Sequence, residues 1–243
     1  MSGHSKWSTI KRHKGAADAR RSSMFTKLGH AIAIAARAGA DPDTNARLRL
    51  AIDRARTENM TKETIERAIQ RGSGGGDGAA LEEVTYEAFA PGGVAVYVTA
   101  LTDNRNRTTA DVRAALNRYG GNLASAGSVS WMFELKGRLY VDRAQLPTLP
   151  EELELALIDA GADDVAASAD GTIITCPPTA LEELRQFLTA RGIALADAQP
   201  EFVPKNVVSP PADATAKLNQ LEAALEALDD VQQVATNASD DTT

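Results

Sequence analysis

The chain has 243 residues, of which 43% are hydrophobic, 24% charged and only 5% aromatic, with a formal net charge of −7. This length predicts two or three small domains, and the composition requires cores built from aliphatic side chains. The single cysteine excludes an intramolecular disulfide framework and fits a reducing, cytoplasmic compartment. No apolar run approaches the roughly 20 residues that span a bilayer, so no membrane partner is expected.

Charge is distributed unevenly along the chain. Residues 1–71 contain 15 Lys+Arg and 7 Asp+Glu (net +8), whereas the remaining residues contain 11 and 26 (net −15). Positive surfaces displace counterions from phosphate backbones, so the amino-terminal part is predicted to meet nucleic acid. Its first 23 residues also resemble an organelle transit peptide. The basic bias continues to Arg71 through predicted helices, however, which a disposable leader would not need.

Three amphipathic helices are predicted at the amino-terminal end, over residues 15–39, about 44–58 and 62–71. Apolar residues recur at helical spacing in each of them. Thr61 is expected to cap the third helix, which Gly72 ends. Residues 1–72 should therefore form a basic three-helix bundle preceded by an arm.

A glycine-rich run follows the bundle and predicts a flexible linker over residues 73–79. A phosphate-binding loop is the alternative. The run follows a helix rather than a strand, lacks a Gly-Lys-Ser/Thr ending, and has Asp77 and Ala79 where GxGxxG needs glycine. These departures favour the linker.

Beyond the linker the hydrophobic period changes to two. A hairpin of Val84–Phe89 and Gly93–Leu101 is followed by a loop at Thr102–Arg107, a helix over 108–119 and a strand at Ser128–Leu135. The predicted elements of residues 138–204 follow the order βαββαβ, which is that of a ferredoxin-like domain. A helix over 212–229 and a strand at Val231–Ala235 come last.

These elements predict an α+β fold of three domains. An isolated helix and strand need a sheet to join, so the chain is expected to return to the second domain. The predicted ranges are 1–72 for the bundle, 73–79 for the linker, 80–136 plus 205–236 for a central α/β domain, 137–204 for an inserted ferredoxin-like domain and 237–243 for a disordered tail.

The first candidate site is the arm, where Lys6, Lys11, Arg12 and Lys14 surround Trp7. Cationic groups follow phosphates, and an indole can stack on an unpaired base. For the tryptophan, packing against the bundle is the better interpretation, because tryptophan usually buries most of its area. For the basic cluster, a bound anion is favoured, since it would relieve mutual repulsion.

Further arginines and lysines could extend this basic patch. Arg20, Arg21 and Lys27 belong to the first predicted helix. The four arginines of the second helix are ambiguous between phosphate contact and packing along its apolar stripe.

The second candidate site is the predicted loop at 103–108, which joins a strand end to a helix start. Such a junction offers backbone N–H groups and the positive end of a helix dipole, and Arg105 and Arg107 add planar donors. The alternative is helix capping by Asn106 or Thr108, with the arginines bridging domains. The predicted nucleic-acid contacts are therefore Lys6, Trp7, Lys11, Arg12, Lys14, Arg20, Arg21, Lys27, Arg105 and Arg107.

Catalytic patterns are scarce. The three histidines, His4, His13 and His30, show neither zinc-finger spacing nor an HExxH motif. Cys176 has no histidine in its half of the chain to activate it. We expect no enzyme, no catalytic residue, no metal, no cofactor and no small-molecule substrate.

Motifs in order along the chain resemble the YebC family, which includes the mitochondrial translational activator of cytochrome oxidase subunit one. They include Gly3-His4-Ser5-Lys6-Trp7, Phe25-Thr26-Lys27-Leu28, the Asp103–Thr108 segment, Gly120-Gly121-Asn122-Leu123 and Asp229-Asp230-Val231-Gln232. The resemblance implies an amino-terminal bundle, a central α/β domain and an inserted ferredoxin-like domain. It also implies either a DNA-binding transcriptional regulator or a ribosome-associated translation factor that relieves stalling, without catalytic activity or cofactor.

Three hypotheses follow. The leading one is a translation factor whose basic bundle and arm contact ribosomal RNA or tRNA, with the ribosome as partner. The second is a DNA-binding transcriptional regulator, although no helix-turn-helix recognition helix is evident. The third is an interaction scaffold whose arm meets an acidic protein.

Overall fold

The computed structural model describes residues 18–74, 80–168 and 170–239, with side chains from residue 22 onward. These residues group into two compact units, one of 133–205 and one of 18–132 with 206–238. The described elements, in chain order, are α1 Asp18–Ala36, α2 Ala46–Thr57, α3 Lys62–Gly72, β1 Glu82–Phe89, β2 Ala95–Thr102, α4 Arg105–Arg118, β3 Asn122–Leu123, β4 Phe133–Asp142, α5 Glu151–Asp159, β5 Asp164–Ala167, β6 Gly171–Cys176, α6 Leu181–Ala190, β7 Asp197–Pro204, α7 Ala212–Glu226 and β8 Val231–Thr236. The predicted α+β class is confirmed.

The three predicted amino-terminal helices are present and share one apolar core. Helix α2 begins at Asn45, whose side chain accepts a hydrogen bond from the Leu48 amide at 3.0 Å. Helix α3 begins at Thr61 as predicted, with the hydroxyl accepting from the Thr64 amide at 3.4 Å. Side-chain capping satisfies N–H groups that have no partner within the helix, so these residues set where each helix starts.

Helix α1 is apolar on two sides because it packs against two partners. One side joins the bundle core through residues such as Leu28 and Ile32. The other side buries Ala33 and Ile34 against Leu81 and Leu101 at the ends of the hairpin strands. This double burial explains the nearly continuous apolar sequence of its second half.

An antiparallel sheet in the order β3-β1-β2-β8 forms the centre of the larger unit. Helices α4 and α7 pack side by side on one face of it, through residues such as Val112, Leu116, Leu218 and Leu221. The carboxyl-terminal strand β8 therefore completes a sheet that begins at residue 82.

The predicted strand at Ser128–Leu135 is confirmed for its last three residues, which belong to β4, and is wrong over residues 128–132. Residues 127–130 instead form a turn whose amides point at the buried carboxylate of Glu87. That carboxylate accepts hydrogen bonds from the amides of Gly127 at 2.7 Å, Val129 at 2.6 Å and Ser130 at 2.9 Å. Amides bound to a side chain are not available to a sheet ladder, so strand β4 starts only at Phe133.

The smaller unit has an antiparallel sheet in the order β5-β6-β4-β7, joined by helices α5 and α6. Element order and strand order are those of the predicted ferredoxin-like fold. Gly137 in β4 lies close to helix α6, because a Cβ there would lie 2.7 Å from the Cys176 sulfur and 3.1 Å from the Leu181 Cβ. A side chain at this position would push the helix off the sheet.

Two predicted boundaries differ from the structure. The boundary between residues 136 and 137 falls inside β4, which pairs with β6 and β7 along its length, so the smaller unit begins at Phe133. The tail predicted to be disordered from residue 237 is anchored at its start. The Asn237 side chain accepts from the Ala95 amide at 2.8 Å, and Ala238 bridges to Val208. Residues 240–243 lie outside the described residues.

Candidate nucleic-acid interface

Most of the predicted contact residues lie in the segment before residue 22. Residues 1–21 hold six basic residues and one acidic residue, which accounts for +5 of the +8 in residues 1–71. Arg20 and Arg21 lie in the first turn of α1, but their side chains, like the whole arm, lie outside what the structure describes. The predicted contacts in this segment are Lys6, Trp7, Lys11, Arg12, Lys14, Arg20 and Arg21.

Lys27 is placed where it holds α1 against α7. Its ammonium donates a hydrogen bond to the backbone carbonyl of Glu226, the last residue of α7. Burial lowers the pKa of Lys27 to about 8, although Glu226 and Asp229 act in the opposite direction. A cation at the negative end of a helix dipole stabilises that helix, so this contact gives Lys27 a structural role.

The exposed cations of α2 and α3 form loose ion pairs with the protein's own carboxylates. The charged atoms lie 3.5 to 3.7 Å apart, and the cations of four pairs are at least 63% exposed, whereas Arg71 is 37% exposed. Such surface pairs contribute about 0–1 kcal/mol and are screened by salt, so they leave these cations available to a stronger anion. The pairs are Arg47–Glu83, Arg56–Asp53, Lys62–Glu66, Arg67–Glu63 and Arg71–Asp103.

Helices α2 and α3 are joined by a four-residue turn, which invites comparison with a helix-turn-helix. The exposed surface of α3 pairs Lys62 with Glu66 and Arg67 with Glu63, which leaves Arg71 as its one surplus positive charge. A recognition helix must enter a groove lined by phosphates. The two glutamates make α3 a poor element for that task.

Helix α4 begins at Arg105, three residues earlier than predicted and inside the segment predicted as a loop at Thr102–Arg107. The cap is Asn104, whose side chain accepts from the Arg107 amide at 3.1 Å, rather than Asn106 or Thr108. Apolar periodicity begins only at Val112, so the first turn of this helix carries no signal in the hydrophobic pattern.

Asp230, just before β8, is the centre of a polar cluster at this helix start. One of its oxygens, Oδ2, accepts from the Thr108 hydroxyl at 2.6 Å, the Arg107 guanidinium at 2.8 Å and the Thr102 hydroxyl at 3.1 Å. Burial alone would raise the pKa of Asp230, but these donors outweigh it and hold the pKa below its usual value. The carboxylate therefore stays ionised and fixes α4 to the end of the sheet.

The two arginines of the second candidate site have different environments. Arg107 binds Asp230 and also Asp103, at 3.1 Å, so its charge is satisfied within the protein. Arg105 is exposed, and within the described ranges it forms no ion pair. Asp103 and Asp230 lie in the same central domain as Arg107, so Arg107 does not bridge domains through these ion pairs. Of the two arginines, only Arg105 is left open to an anion contact.

Sequence reasoning missed two exposed arginines on the same helix, Arg113 and Arg118. Helix α4 contains four arginines and one acidic residue, Asp111. The guanidinium of Arg118 lies 5.6 Å from the Tyr119 ring centre. The signal that could have found them is the charge balance of the helix, +3 within an acidic half of the chain.

The described residues hold no cluster of three or more His, Cys, Asp or Glu side chains arranged to bind a metal. Cys176 is buried, and burial raises the pKa of its thiol to about 11, which opposes thiolate formation. No helix within the described ranges is both long and apolar enough to cross a membrane.

The sequence matches two family models in succession. Residues 5–75 match the TACO1/YebC protein N-terminal domain, and residues 81–238 match the TACO1/YebC second and third domain. The chain belongs to the TACO1/YebC family. The resemblance stated from its motifs is confirmed.

Curated relatives are similar to this TACO1/YebC protein over nearly their full length. A probable transcriptional regulatory protein of Chloroflexus aurantiacus is 51% identical over 240 residues, covering 98% of this chain and 95% of the relative. One of Thermotoga maritima is 48% identical over 238 residues, covering 98% and 93%. The crystal structure of a conserved hypothetical protein from Aquifex aeolicus matches with a TM-score of 0.84 and 43% identity, covering 91% of each chain.

Proposed function

We propose that this TACO1/YebC protein is a non-enzymatic regulator of gene expression that binds nucleic acid through its amino-terminal arm and bundle. The charge asymmetry carries the proposal: +8 in residues 1–71 against −15 in the rest. The names of the relatives, probable transcriptional regulatory proteins, agree with a nucleic-acid partner. The acidic remainder would repel phosphates and so orient the basic end towards them.

Within that class, we propose a ribosome-associated translation factor in the cytoplasm that contacts ribosomal RNA or tRNA and relieves stalling. Phosphate contacts supply affinity in this proposal, and the shape of the RNA supplies selectivity. The two glutamates of α3, which pair with Lys62 and Arg67, support RNA over a DNA operator, because they make α3 a poor recognition helix. The relatives' printed name favours the second candidate, a DNA-binding transcriptional regulator.

Co-sedimentation with ribosomes over a range of salt concentrations tests the proposal. The variant reverses four arm charges (Lys6→Glu, Lys11→Glu, Arg12→Glu and Lys14→Glu). A control reverses four exposed cations outside the arm and bundle (Arg143→Glu, Arg191→Glu, Lys205→Glu and Lys217→Glu), so the change in net charge is equal. The arm variant should bind more weakly and depend less on salt. The slope of log affinity against log salt concentration should fall in magnitude by about 0.7–0.9 for each phosphate contact removed.

The outcomes separate the candidates. Equal binding by both variants would remove the arm as the contact surface. Preferential binding to one DNA duplex, with a mismatched base pair costing about 1–3 kcal/mol, would favour the transcriptional regulator. Salt-insensitive capture of proteins without nucleic acid would favour a scaffold. Ribosome profiling in a strain lacking the protein then distinguishes pauses at defined codons from transcript changes without pauses.

A further inference from the structure

Helix α4 is a basic element in an acidic surrounding. Residues 80–132 and 206–238, which hold the central sheet and its two helices, contain 5 basic and 10 acidic residues. Four of those five basic residues lie in α4, together with only one of the acidic ones. The other elements thus hold one basic residue, Lys217, against nine acidic ones. A concentrated positive charge in such a surrounding marks a directed contact with an anion.

The exposed face of α4 has an ordered composition. Asn106, Ala110, Ala114 and Asn117 form an exposed strip, and Arg113 and Arg118 lie on either side of it. At a rise of 1.5 Å per residue the strip is about 16 Å long. The alanines add no bulk beyond Cβ and so permit close approach, while the asparagine amides can donate to or accept from a hydroxyl.

The strip and its two flanking arginines together form a ridge, and this ridge of α4 is held rigidly. Its core side, including Val112 and Leu116, is completely buried. Its start is fixed by the Asn104 cap and by the bonds of Thr108 and Arg107 to Asp230. Within the described ranges Arg105, Arg113 and Arg118 form no ion pair, so their charges are not satisfied by the protein's own carboxylates. A partner would therefore meet a preformed surface at little cost in ordering.

The neighbouring helix determines which groove the ridge can occupy. Helix α7 packs beside α4 on the same face of the sheet, and neighbouring helices lie about 8–10 Å apart. The major groove of B-form DNA, about 12 Å wide, admits a single helix of about 10–12 Å. A helix flanked by another, as α4 is by α7, enters this groove only where it projects beyond its neighbour. The minor groove of A-form RNA is wide and shallow and displays 2′-hydroxyls, so a ridge can lie against it without penetrating.

We propose that the exposed ridge of α4 is a second nucleic-acid contact, which binds the minor groove of double-helical RNA. Arg113 and Arg118 contact phosphates of the two strands, and the strip between them contacts the sugars. The inference rests on the proposed RNA-binding function and extends it to a surface that lies away from the arm in sequence.

The test uses the full-length protein and an RNA duplex of about 20 base pairs, longer than the ridge. Fluorescence anisotropy gives the affinity at several salt concentrations, and a DNA duplex of the same sequence is measured in parallel. The double variant Arg113→Glu/Arg118→Glu is compared with Lys205→Glu/Lys217→Glu, which changes net charge equally at exposed positions outside both the bundle and α4. The first should bind RNA at least about tenfold more weakly than the second, and its salt slope should fall by about 0.7–0.9 for each of two contacts.

A second pair of variants tests close approach without changing charge. Ala110→Phe and Ala114→Phe should each weaken RNA binding, whereas Ala216→Phe on the exposed side of α7 should not. Circular dichroism and thermal unfolding establish that each variant is folded. A loss of affinity in Ala110→Phe and Ala114→Phe would show that the RNA lies in direct contact with the ridge, because diffuse electrostatic attraction would not be changed by these substitutions.

Each result decides between the proposals. If wild type binds the RNA and the arm variant binds it more weakly, but all three α4 variants match their controls, the inference fails and the proposed function stands. If wild type binds neither RNA duplexes nor ribosomes, the proposed function fails. If the α4 variants lose affinity for DNA more than for RNA, α4 is a DNA contact and the RNA inference is overturned.

Discussion

The substitution Glu87→Gln tests whether a single buried carboxylate holds the turn at 127–130. Glu87 is only 8% exposed and accepts three backbone hydrogen bonds, two of them through the same oxygen. Hydrogen bonds to charged groups contribute about 1.5–3 kcal/mol, against about 0.5–1.5 kcal/mol for neutral pairs. Glutamine can keep one accepting oxygen, so two bonds weaken and one amide loses its partner.

The expected cost follows from these values. Weakening two bonds by about 1 kcal/mol each and leaving one amide without a partner, at about 1–3 kcal/mol, gives a loss of about 3–5 kcal/mol. This is a large share of the roughly 5–15 kcal/mol that stabilises a typical fold. Urea unfolding followed by circular dichroism measures the total, and amide hydrogen exchange at residues 127–130 measures the turn itself.

Glu82→Gln is the matched control, because Glu82 lies exposed on the same strand. It should change the free energy of unfolding by less than about 0.5 kcal/mol. If Glu87→Gln costs no more than this control and exchange at residues 127–130 is unchanged, the argument that Glu87 positions the turn is refuted.

The same carboxylate predicts a pH dependence. Burial would raise the pKa of Glu87, but the three amides outweigh it and lower the pKa. Because the folded pKa is depressed, this stabilisation is complete above the unfolded value of about 4.3 and is lost as pH falls through the folded value. The Glu87→Gln variant should lack this component of acid unfolding, so its stability should differ less from that of the wild type at pH 3 than at pH 7.

Four further predictions concern other described groups. Asp230→Asn should destabilise the larger unit by about 2 kcal/mol, because it replaces an ionised acceptor of three hydrogen bonds; urea unfolding measures this. The wild-type free energy of unfolding should rise between pH 8 and 10.5. Burial lowers the pKa of Lys27 to about 8 in the folded protein, so the unfolded chain binds more protons over this pH range, and Lys27→Met should remove the rise. Gly137→Ala should cost about 1–3 kcal/mol in thermal unfolding through the contact with the Cys176 sulfur. The Cys176 thiol should resist iodoacetamide at pH 8 until the protein unfolds, since burial raises its pKa to about 11.

Distinct results would contradict these expectations. If Asp230→Asn were as stable as the wild type, the polar cluster at the start of α4 would contribute little to the free energy of unfolding. A pH rise that survives in Lys27→Met would assign it to another group. An unaffected Gly137→Ala would mean that α6 can move, and rapid alkylation of the native protein would mean that the Cys176 strand opens readily.

The α+β class and the order of the elements could be predicted because periodicity and glycine-rich breaks are local signals. The first part of the predicted strand at Ser128–Leu135, which is not a strand before Phe133, shows the limit. Its alternating residues fit a strand, but the amides are bound by Glu87, 40 to 43 positions earlier in the chain. A long-range side-chain contact of this kind leaves no trace in local periodicity.

The candidate site was predicted less completely than the fold. Net charge makes the amino-terminal segment the candidate, because charge is additive along a sequence. It could not foresee that Arg107 is satisfied by Asp230, since the two lie 123 positions apart. Arg113 and Arg118 were passed over because each is unremarkable alone, and only the folded helix places them on either side of one exposed strip.

Strand β8 has a consequence for the order of assembly during synthesis. Its partner β2 is translated long before it. The Ala95 amide donates to the Asn237 side chain, which is 142 residues later, and the Thr102 hydroxyl donates to Asp230, which is 128 residues later. The nascent central sheet therefore exposes an unpaired edge while the whole ferredoxin-like insert is made. A premature stop that removed only the last dozen residues would leave that edge open permanently and yield a product prone to aggregation.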